Sequence, residues 1–206
     1  MSYQSLSDRV VAKGVIRTLT QQELPLLRDH LLRLDRESRH DRFQGFLDDS
    51  FVERYAAKCA SDGTAVVAYL EDGVVRGAAE LHPPDNYPAS EPEAAFSVEA
   101  AVRRRGVGTR LFRELIAEAH RRDYRVLRIT TGAHNDAMRA LALKFGAHLT
   151  FYYGESTGTI DLAQHPQARP AGVTHTLAYD AARAMIALNR AYWRALLRIY
   201  GWRWAT

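Results

Sequence analysis

The sequence predicts an α/β (α+β) fold with a central mixed, mostly antiparallel sheet of six to seven strands, helices on both faces and a C-terminal helix. Three observations support this prediction. Apolar runs of strand length and runs of helical periodicity follow one another along residues 14–163. The turn Glu71-Asp72-Gly73 separates two apolar runs, which indicates an antiparallel hairpin. A strand, a helix and a second strand follow one another over residues 93–132, which indicates a helix packed on the centre of the sheet.

Apolar runs bounded by turn residues give the strands. They are predicted at 14–20, 64–70, 74–82, 93–102, 126–132, 148–154 and 157–163. The second and third of them form the hairpin. The segment 83–92 after the hairpin is predicted as a loop, because its four prolines prevent regular strand pairing.

Apolar residues at helical spacing give the helices. They are predicted over 21–34, 51–60, 107–122, 135–145 and 178–200. Thr20 and Glu23 match a capping box for the first helix, and Ser50 is expected to cap the second. The charged stretch 35–43 between them is a turn or a short helix. The composition changes after residue 163, so we divide the chain into a domain over 1–163 and a linker with an aromatic-rich amphipathic helix over 164–206.

The composition argues against several classes of protein. The formal net charge is +4 and the basic residues are dispersed, which argues against nucleic-acid binding and fits an anionic small ligand. The N-terminal segment lacks the apolar core of a signal peptide, and no apolar run approaches the ~18 residues of a membrane span. The single cysteine, Cys59, is expected to be a buried structural thiol on a helix, and the eight histidines show no metal-binding spacing. These features indicate a cytoplasmic protein without a metal cofactor.

The most informative segment joins the fourth strand to the helix after it. The strand passes Val98, a basic turn follows, and the helix begins at two glycines, Gly106 and Gly108. The first N–H groups of a helix lack partners within it and the helix dipole adds positive potential, so this end favours an anion. Glycine has no Cβ, which lets phosphate oxygens approach the backbone. The spacing excludes a P-loop, which needs Gly-Lys-Ser/Thr, and a GxGxxG loop, whose third glycine is replaced by Leu111.

The turn has the pattern Arg-x-x-Gly-x-Gly at Arg103, Gly106 and Gly108, which resembles the pyrophosphate loop of GNAT acetyltransferases. A second segment agrees with it, because Asn135 opens the helix after the fifth strand and Gly146 ends that helix, as in the GNAT pattern. The resemblance implies the GNAT fold and acetyl-CoA as the co-substrate. The residues that it implies for contact with acetyl-CoA are Phe96, Ser97, Val98, Arg103, Arg104, Arg105, Gly106, Val107, Gly108, Thr109 and Asn135.

The helix over 135–145 also departs from the GNAT pattern. Many members carry a tyrosine seven residues after the asparagine, as the general acid for the departing thiolate, and here that position is Ala142. Tyr152, Tyr153 or solvent would then supply the proton. Asn135 itself fits the N-cap of a helix as well as it fits a contact with coenzyme A.

The alanine at this position resembles one group within the superfamily. The GNAT domains of bacterial protein-lysine acetyltransferases carry the same alanine, an ESR-x-x-RF segment, which here spans 37–43, and a glutamate that begins the fourth strand, here Glu93. The resemblance covers about residues 14–163. It implies a lysine acetyltransferase, although the short ESR-x-x-RF match also fits a charged turn between helices.

The resemblance implies that Glu93 is the general base. A lysine amine has a pKa of about 10.4, so only about one molecule in 10³ is neutral at pH 7 and acyl transfer needs a proton acceptor. Glu99 is the second candidate; it follows Val98, and alternation along a strand turns it to the other side. Glu80 and His82 on the neighbouring strand are a third option. Each of these side chains also fits a solvated position at the rim.

The family picture further implies a mechanism. The fourth and fifth strands separate, the thioester lies between them, and a backbone N–H near Val98 polarises its carbonyl. The amine attacks directly in a ternary complex. The alternatives are a small-amine acetyltransferase, a non-catalytic module that senses acyl-CoA, and an interaction protein that acts through its aromatic tail. The helix over 178–200 is expected to pack on its own domain or to form a homodimer, rather than to bind a membrane.

Overall fold

The computed structural model describes residues 14–84, 91–152 and 154–165. Its seven strands are β1 (Val15–Thr18), β2 (Ala65–Glu71), β3 (Val74–His82), β4 (Glu93–Val98), β5 (Val126–Gly132), β6 (His148–Tyr152) and β7 (Glu155–Asp161). Its α-helices are α1 (Pro25–Arg33), α2 (Arg36–Phe43), α3 (Asp49–Ser61), α4 (Val107–Arg121) and α5 (Asp136–Lys144). Short 3₁₀ turns lie at Gln21–Glu23, Ala100–Val102 and Leu162–Gln164.

The strands form one sheet in the order β1-β2-β3-β4-β5-β7-β6. Every neighbouring pair is antiparallel except β4 and β5, which are parallel. The β2–β3 hairpin turns through Asp72 and Gly73, which both have positive φ, as a two-residue hairpin turn requires. The prediction of a mixed, mostly antiparallel sheet is therefore confirmed.

Helices cover both faces of this sheet, as the sequence predicts. On one face α4 packs on alternate residues of β2, such as Val67 and Tyr69, and α5 packs on β5 and β6. On the other face α1 and α3 pack on the intervening residues, such as Val66 and Ala68. Strand β2 is buried on both sides, which explains why its sequence is a continuous apolar run without alternation.

The helix starts differ from the prediction in two places. The Glu23 carboxylate accepts hydrogen bonds from the N–H and hydroxyl of Thr20, so the capping box is present, but it begins a 3₁₀ turn and α1 starts at Pro25. Helix α3 is capped by Asp48, whose carboxylate accepts from the N–H of Phe51 at 2.8 Å, and not by Ser50. Both aspartate and serine are good caps, so the local pattern could not distinguish them.

The charged stretch 35–43, predicted as a turn or a short helix, is the short helix α2 with Asp35 as its N-cap. One further difference concerns the fourth strand. The fourth strand ends at Val98, four residues before the predicted end, and the apolar residues after it form a 3₁₀ turn.

Some predictions lie outside the described residues. These are the helix over 178–200, its packing or dimer role, Tyr153 and most of the loop 83–92. The domain boundary after residue 163 stays a prediction. Within the described part of the chain, the helices are all too short or too polar to cross a membrane.

Candidate active site

An opening at the centre of the sheet begins where β4 and β5 stop pairing. The two strands are paired at only two positions, Glu93 with Arg128 and Ala94 with Ile129. Strand β4 nevertheless continues to Val98, paired with β3, and β5 continues along β7. Beyond Ala94 the facing strand edges therefore separate, and their backbone groups are available to a ligand that lies like a strand between them.

The start of α4 lies directly beyond the end of β4. Gly106 is the N-cap of this helix with φ of +76°, and no side chain caps the helix start. The first backbone N–H groups of α4 therefore lack a capping acceptor, which suits an anion. A Cβ on Gly108 would lie 3.4 Å from the Leu141 side chain of α5, an ordinary contact distance, so helix packing by itself does not require glycine there.

The three arginines of the turn have different environments. Arg103 holds the turn itself: its Nε donates to the carbonyl of Val98 at 3.0 Å, its Nη2 donates to the hydroxyl of Ser38, and its N–H donates to the carbonyl of Ala100. Arg104 is exposed with a positive φ of 61°. Arg105 is also exposed and lies 3.8 Å from the Glu71 carboxylate. All three are exposed, and Arg103 is the one whose side chain is used to hold the turn.

The other residues near the turn that are predicted to contact acetyl-CoA lie on β4 and α4. Phe96 and Ser97 use their side chains within the protein, so the edge of β4 would bind a ligand through its backbone. Phe96 stacks on Phe112 of α4, with ring centroids 4.7 Å apart, whereas Ser97 points to the opposite face of the sheet. Val98 ends the strand. On α4, Val107 is buried in the core and Thr109 accepts a long, 3.5 Å hydrogen bond from Lys144.

Glu93 lies at the closed end of the opening. Its Oε2 accepts a hydrogen bond from Arg128 of β5 at 2.8 Å, across one of the two residue pairs that join the two strands. About a third of the Glu93 side chain is exposed, 34%. His82 of β3 is its partner in register on the other side. The position therefore combines a carboxylate, solvent access and the start of the separated strands.

Glu99, the second candidate base, lies in a different environment. Its carboxylate accepts from Arg33 and Arg76 and contacts His30, at 3.1, 2.9 and 3.1 Å. Burial by itself would raise its pKa, but the hydrogen bonds of His30 and Arg76 and the nearby positive charges lower the pKa to about 2. A carboxylate held in this way is a weak proton acceptor, which favours Glu93.

The third option, Glu80 with His82, belongs to a buried network. The Glu80 side chain is fully buried and its Oε2 accepts from Arg42 at 2.8 Å and from the hydroxyl of Tyr55. Burial acts to raise the pKa of this carboxyl, but the Arg42 charge and the His82 and Tyr55 contacts outweigh it and lower the pKa to about 2. His82 also contacts Tyr55 and, at 3.0 Å, Thr64. Glu80 is thus bound in the interior rather than presented to a ligand.

Cys59 lies beside this network, which its sequence position did not suggest. It is buried on α3, as predicted, and its Sγ and ligand atoms of Glu80 and His82 lie within 4.8 Å of one another. Burial, with the Glu80 charge, raises the pKa of the Cys59 thiol to about 12. A protonated thiol is a poor nucleophile, and Arg42 already neutralises Glu80.

Asn135 acts as the N-cap of α5, the alternative that the sequence left open. Its Oδ1 accepts from the N–H of Met138 at 3.0 Å. Ala142, on the same helix, is fully buried. Tyr152 belongs to β6, but its side chain and the whole of Tyr153 lie outside the described residues. The source of the acid therefore stays open.

Two residues near the opening were not identified from the sequence. Arg128, on β5, was read only as part of an apolar strand, and its ion pair with Glu93 depends on the strand register. His30, on α1, is fully buried against β4. Its position, three residues after Leu27 and beside Leu31 on the apolar stripe, is a signal that predicts burial.

Comparisons with known proteins agree with this architecture. The model of the Acetyltransferase (GNAT) family matches residues 29–147, which is more than half of the chain. A search of curated proteins finds no significant match.

Solved structures share the fold at low sequence identity. The GNAT domain of S. lividans PAT is 22% identical with a TM-score of 0.61, over 72% of this chain and 90% of that domain. A ribosomal-protein-alanine N-acetyltransferase from Brucella melitensis is 23% identical with a TM-score of 0.53, over 70% and 96%. The putative acetyltransferase yncA from Salmonella typhimurium, solved with its cofactor acetyl-CoA, is 20% identical with a TM-score of 0.54, over 78% and 99%.

The family model covers the segment that contains the separated strands, the glycine turn and the uncapped start of α4. The chain belongs to the GNAT family of acetyltransferases.

Proposed function

We propose that this protein transfers an acetyl group from acetyl-CoA to a primary amine, with a protein lysine as the favoured acceptor. The observation that carries the proposal is the opening between β4 and β5, which leads to the uncapped start of α4. An extended arm with amide groups can bind along the free strand edge, and a diphosphate can bind the N–H groups of the helix start. Acetyl-CoA contains both an arm with amide groups and a diphosphate, and membership of the acetyltransferase family supports it as the ligand.

The bound thioester would lie along the free edge of β4. A backbone N–H of this edge near Val98 then donates to the carbonyl oxygen and stabilises the negative charge that develops on it. Arg104 and Arg105, both exposed, lie where positive charge assists the diphosphate. Arg103 contributes by holding the turn in shape.

The amine would attack the thioester carbon directly, in a ternary complex. Glu93 takes the proton that the amine loses, and the thiolate of coenzyme A leaves and is protonated by solvent or by a tyrosine of the β6 region. Arg128 fixes the Glu93 carboxylate through Oε2, next to the point where the strands separate. A positioned base contributes about 10²–10⁴ in rate.

A lysine acceptor is supported by similarity rather than by a described pocket. Glu93, Ala142 and the ESR-x-x-RF segment match the lysine acetyltransferase pattern, and the S. lividans PAT domain shares the fold. Small amines remain the alternative within the enzyme class. The lack of a tyrosine at Ala142 favours a second candidate function, a module that binds acyl-CoA without turnover.

The test measures thiol release from acetyl-CoA with a panel of protein and small-amine acceptors. Glu93→Gln is expected to lower turnover by about 10²–10⁴ while coenzyme A binding, measured by calorimetry, stays unchanged. Glu114→Gln is the matched control, because Glu114 is a half-exposed carboxylate on α4, 3.7 Å from Arg121. Binding without turnover on any amine would favour the sensing module, and equal rates for Glu93→Gln and the wild type would refute the assignment of the base.

A further inference from the structure

A buried histidine connects α1 to the strand on which acetyl-CoA is expected to bind. His30 is fully buried. Its Nε2 lies 2.9 Å from the hydroxyl of Ser97, and its Nδ1 lies 3.1 Å from Glu99 Oε1. An ionised carboxylate only accepts hydrogen bonds, so Nδ1 carries a proton toward Glu99, and Nε2 forms the hydrogen bond with the Ser97 hydroxyl. The three side chains therefore form a hydrogen-bonded series, in which His30 of α1 links Ser97 of β4 to Glu99.

The order serine, histidine, carboxylate is also that of a nucleophilic triad, but the placement of the serine argues against that role. Ser97 is 6% exposed and its hydroxyl points into the space between the sheet and α1. Side chains stand roughly perpendicular to a sheet. A thioester bound along the edge of β4 lies in the plane of the sheet, to the side of the Ser97 hydroxyl. The geometry suits a series that holds the strand and does not attack the ligand.

The same series reaches the turn that leads to the phosphate site. Glu99 also accepts from Arg33 of α1 and Arg76 of β3. Its N–H donates to the carbonyl of Arg76 at 2.9 Å, which extends the pairing of β3 with β4 by one residue. Arg103 then joins the carbonyl of Val98 to Ser38 of α2. The end of β4 is therefore fixed by contacts with α1, α2 and the neighbouring strand β3.

We propose that His30 is a positioning residue for acetyl-CoA. It holds Ser97 and Glu99 in place. This fixes the distance between the free edge of β4, where the thioester would lie, and the start of α4, where the diphosphate of the same ligand would lie. A buried polar group that loses its partner is destabilised, so breaking this series is expected to let the end of β4 shift. The inference rests on the proposed function, because it assumes that acetyl-CoA binds along β4.

The two nitrogens of the ring can be tested separately. In His30→Asn the side-chain amide can replace Nδ1 and keep the contact with Glu99, whereas in His30→Gln it can replace Nε2 and keep the contact with Ser97. Ser97→Ala removes the hydroxyl with little change of volume. His120→Gln is the control, since His120 is a partly buried histidine near the far end of α4, whose Nε2 contacts the carbonyl of His165 at 2.8 Å.

The experiment uses the full chain and measures the coenzyme A Kd by calorimetry, with KM for acetyl-CoA, KM for the amine and kcat. We expect His30→Asn and Ser97→Ala to raise the Kd and the KM for acetyl-CoA by about tenfold, the range for one lost hydrogen bond. The Kd and the KM for acetyl-CoA of His30→Gln are expected to lie nearer the wild-type values. The KM for the amine is expected to stay unchanged in all three variants. A loss of folded protein alone would lower kcat and leave both KM values as they are.

Two outcomes overturn the inference while the proposed function stands. One is a wild-type Kd and KM for acetyl-CoA in both His30→Asn and Ser97→Ala. The other is an acetyl group found on Ser97 by mass spectrometry, which would make the serine a nucleophile. If the wild type itself gives no heat with coenzyme A, the proposed function fails first and this inference fails with it.

Discussion

Arg42 and Glu80 form a buried ion pair between α2 and β3. Their side chains are 9% and 0% exposed, and the guanidinium lies 2.8 Å from the carboxylate. Tyr55 adds a hydrogen bond to the same carboxylate oxygen. Each charge is stable in the interior only because the other is present, since an isolated buried charge is strongly destabilised. The pair therefore fixes α2 against the sheet more than it adds net stability.

This arrangement makes a prediction about stability. Arg42→Met leaves the Glu80 carboxylate buried without a counter-charge, and we expect it to lower the free energy of unfolding by about 3–5 kcal/mol. Denaturant unfolding measures this change. Arg54→Met on the exposed surface of α3 is the control, with an expected change within about 0.5 kcal/mol. In the double variant Arg42→Met with Glu80→Leu most of the loss should return; a double variant as unstable as the single one would contradict the explanation.

At the residue scale, the sequence could indicate which side chains carry chemistry but not which contacts they make. The Arg-x-x-Gly-x-Gly pattern indicated a turn whose backbone a phosphate can approach, whereas the positive φ of Gly106 at the start of α4 is seen only in the structure. All three arginines are exposed, and the pattern could not distinguish Arg103, whose hydrogen bonds hold the turn, from Arg104 and Arg105. Partners such as Ser38 lie 65 positions away and are set by packing.

At the element scale, the start of α3 gives a matched pair of variants. Asp48 accepts from the N–H of Phe51, whereas Ser50 lies inside the helix and donates to Asp48 at 2.9 Å. Asp48→Ala is expected to lower the free energy of unfolding by about 0.5–2 kcal/mol, because the helix loses its cap. Ser50→Ala should change it by less, and thermal or denaturant unfolding compares the two. A larger loss in Ser50→Ala than in Asp48→Ala would contradict the assignment of the cap.

Element bounds were predictable where the local pattern and the tertiary structure agree. Strand β5 begins and ends as the apolar run predicts, at Val126 and Gly132. The fourth strand was predicted too long because Ala100–Val102 is as apolar as the strand before it. Val102 is indeed buried, but it reaches the core from a 3₁₀ turn. A short apolar run indicates burial and does not by itself distinguish a strand from a turn.

At the scale of the whole molecule, three carboxyl groups link stability to pH. The pKa values of Glu23, Glu80 and Glu99 are each lowered to about 2 in the folded state from an ordinary value of 4.5. The main causes that lower them are the hydrogen bond of Arg17 for Glu23, the charge of Arg42 for Glu80 and the hydrogen bond of His30 for Glu99. Lowered values mean that the unfolded chain binds these protons more readily than the folded protein does.

The stabilisation from these groups is therefore fully present above pH of about 4.5 and is lost as the pH falls toward about 2. We expect the denaturant midpoint to decrease steadily across this range. Glu99→Gln has no carboxyl to titrate, so its midpoint should fall less steeply with acid than that of the wild type. An identical slope in the variant and the wild type would show that Glu99 does not contribute to the acid sensitivity.

The fold of the whole molecule was the most predictable level. Hydrophobic periodicity predicted the strands and helices, and the turn chemistry predicted the β2–β3 hairpin. The early end of the β4–β5 pairing came from the family resemblance, since no local pattern records which strands become neighbours. Polar contacts between distant elements, such as His30 with Ser97, could not be predicted for the same reason.

Three stacked aromatic rings connect β4 with α4 and α5, next to the opening between β4 and β5. Phe96 of β4, Phe112 of α4 and Phe145 at the end of α5 lie face to face, with centroids 4.7 and 4.2 Å apart. Only two residue pairs link β4 to β5, so we expect the volume of these packed side chains, as well as backbone hydrogen bonds, to influence how far apart the two strands lie. Replacing Phe112 or Phe145 by a smaller side chain is thus expected to narrow the opening between β4 and β5 without changing a residue that is predicted to contact acetyl-CoA.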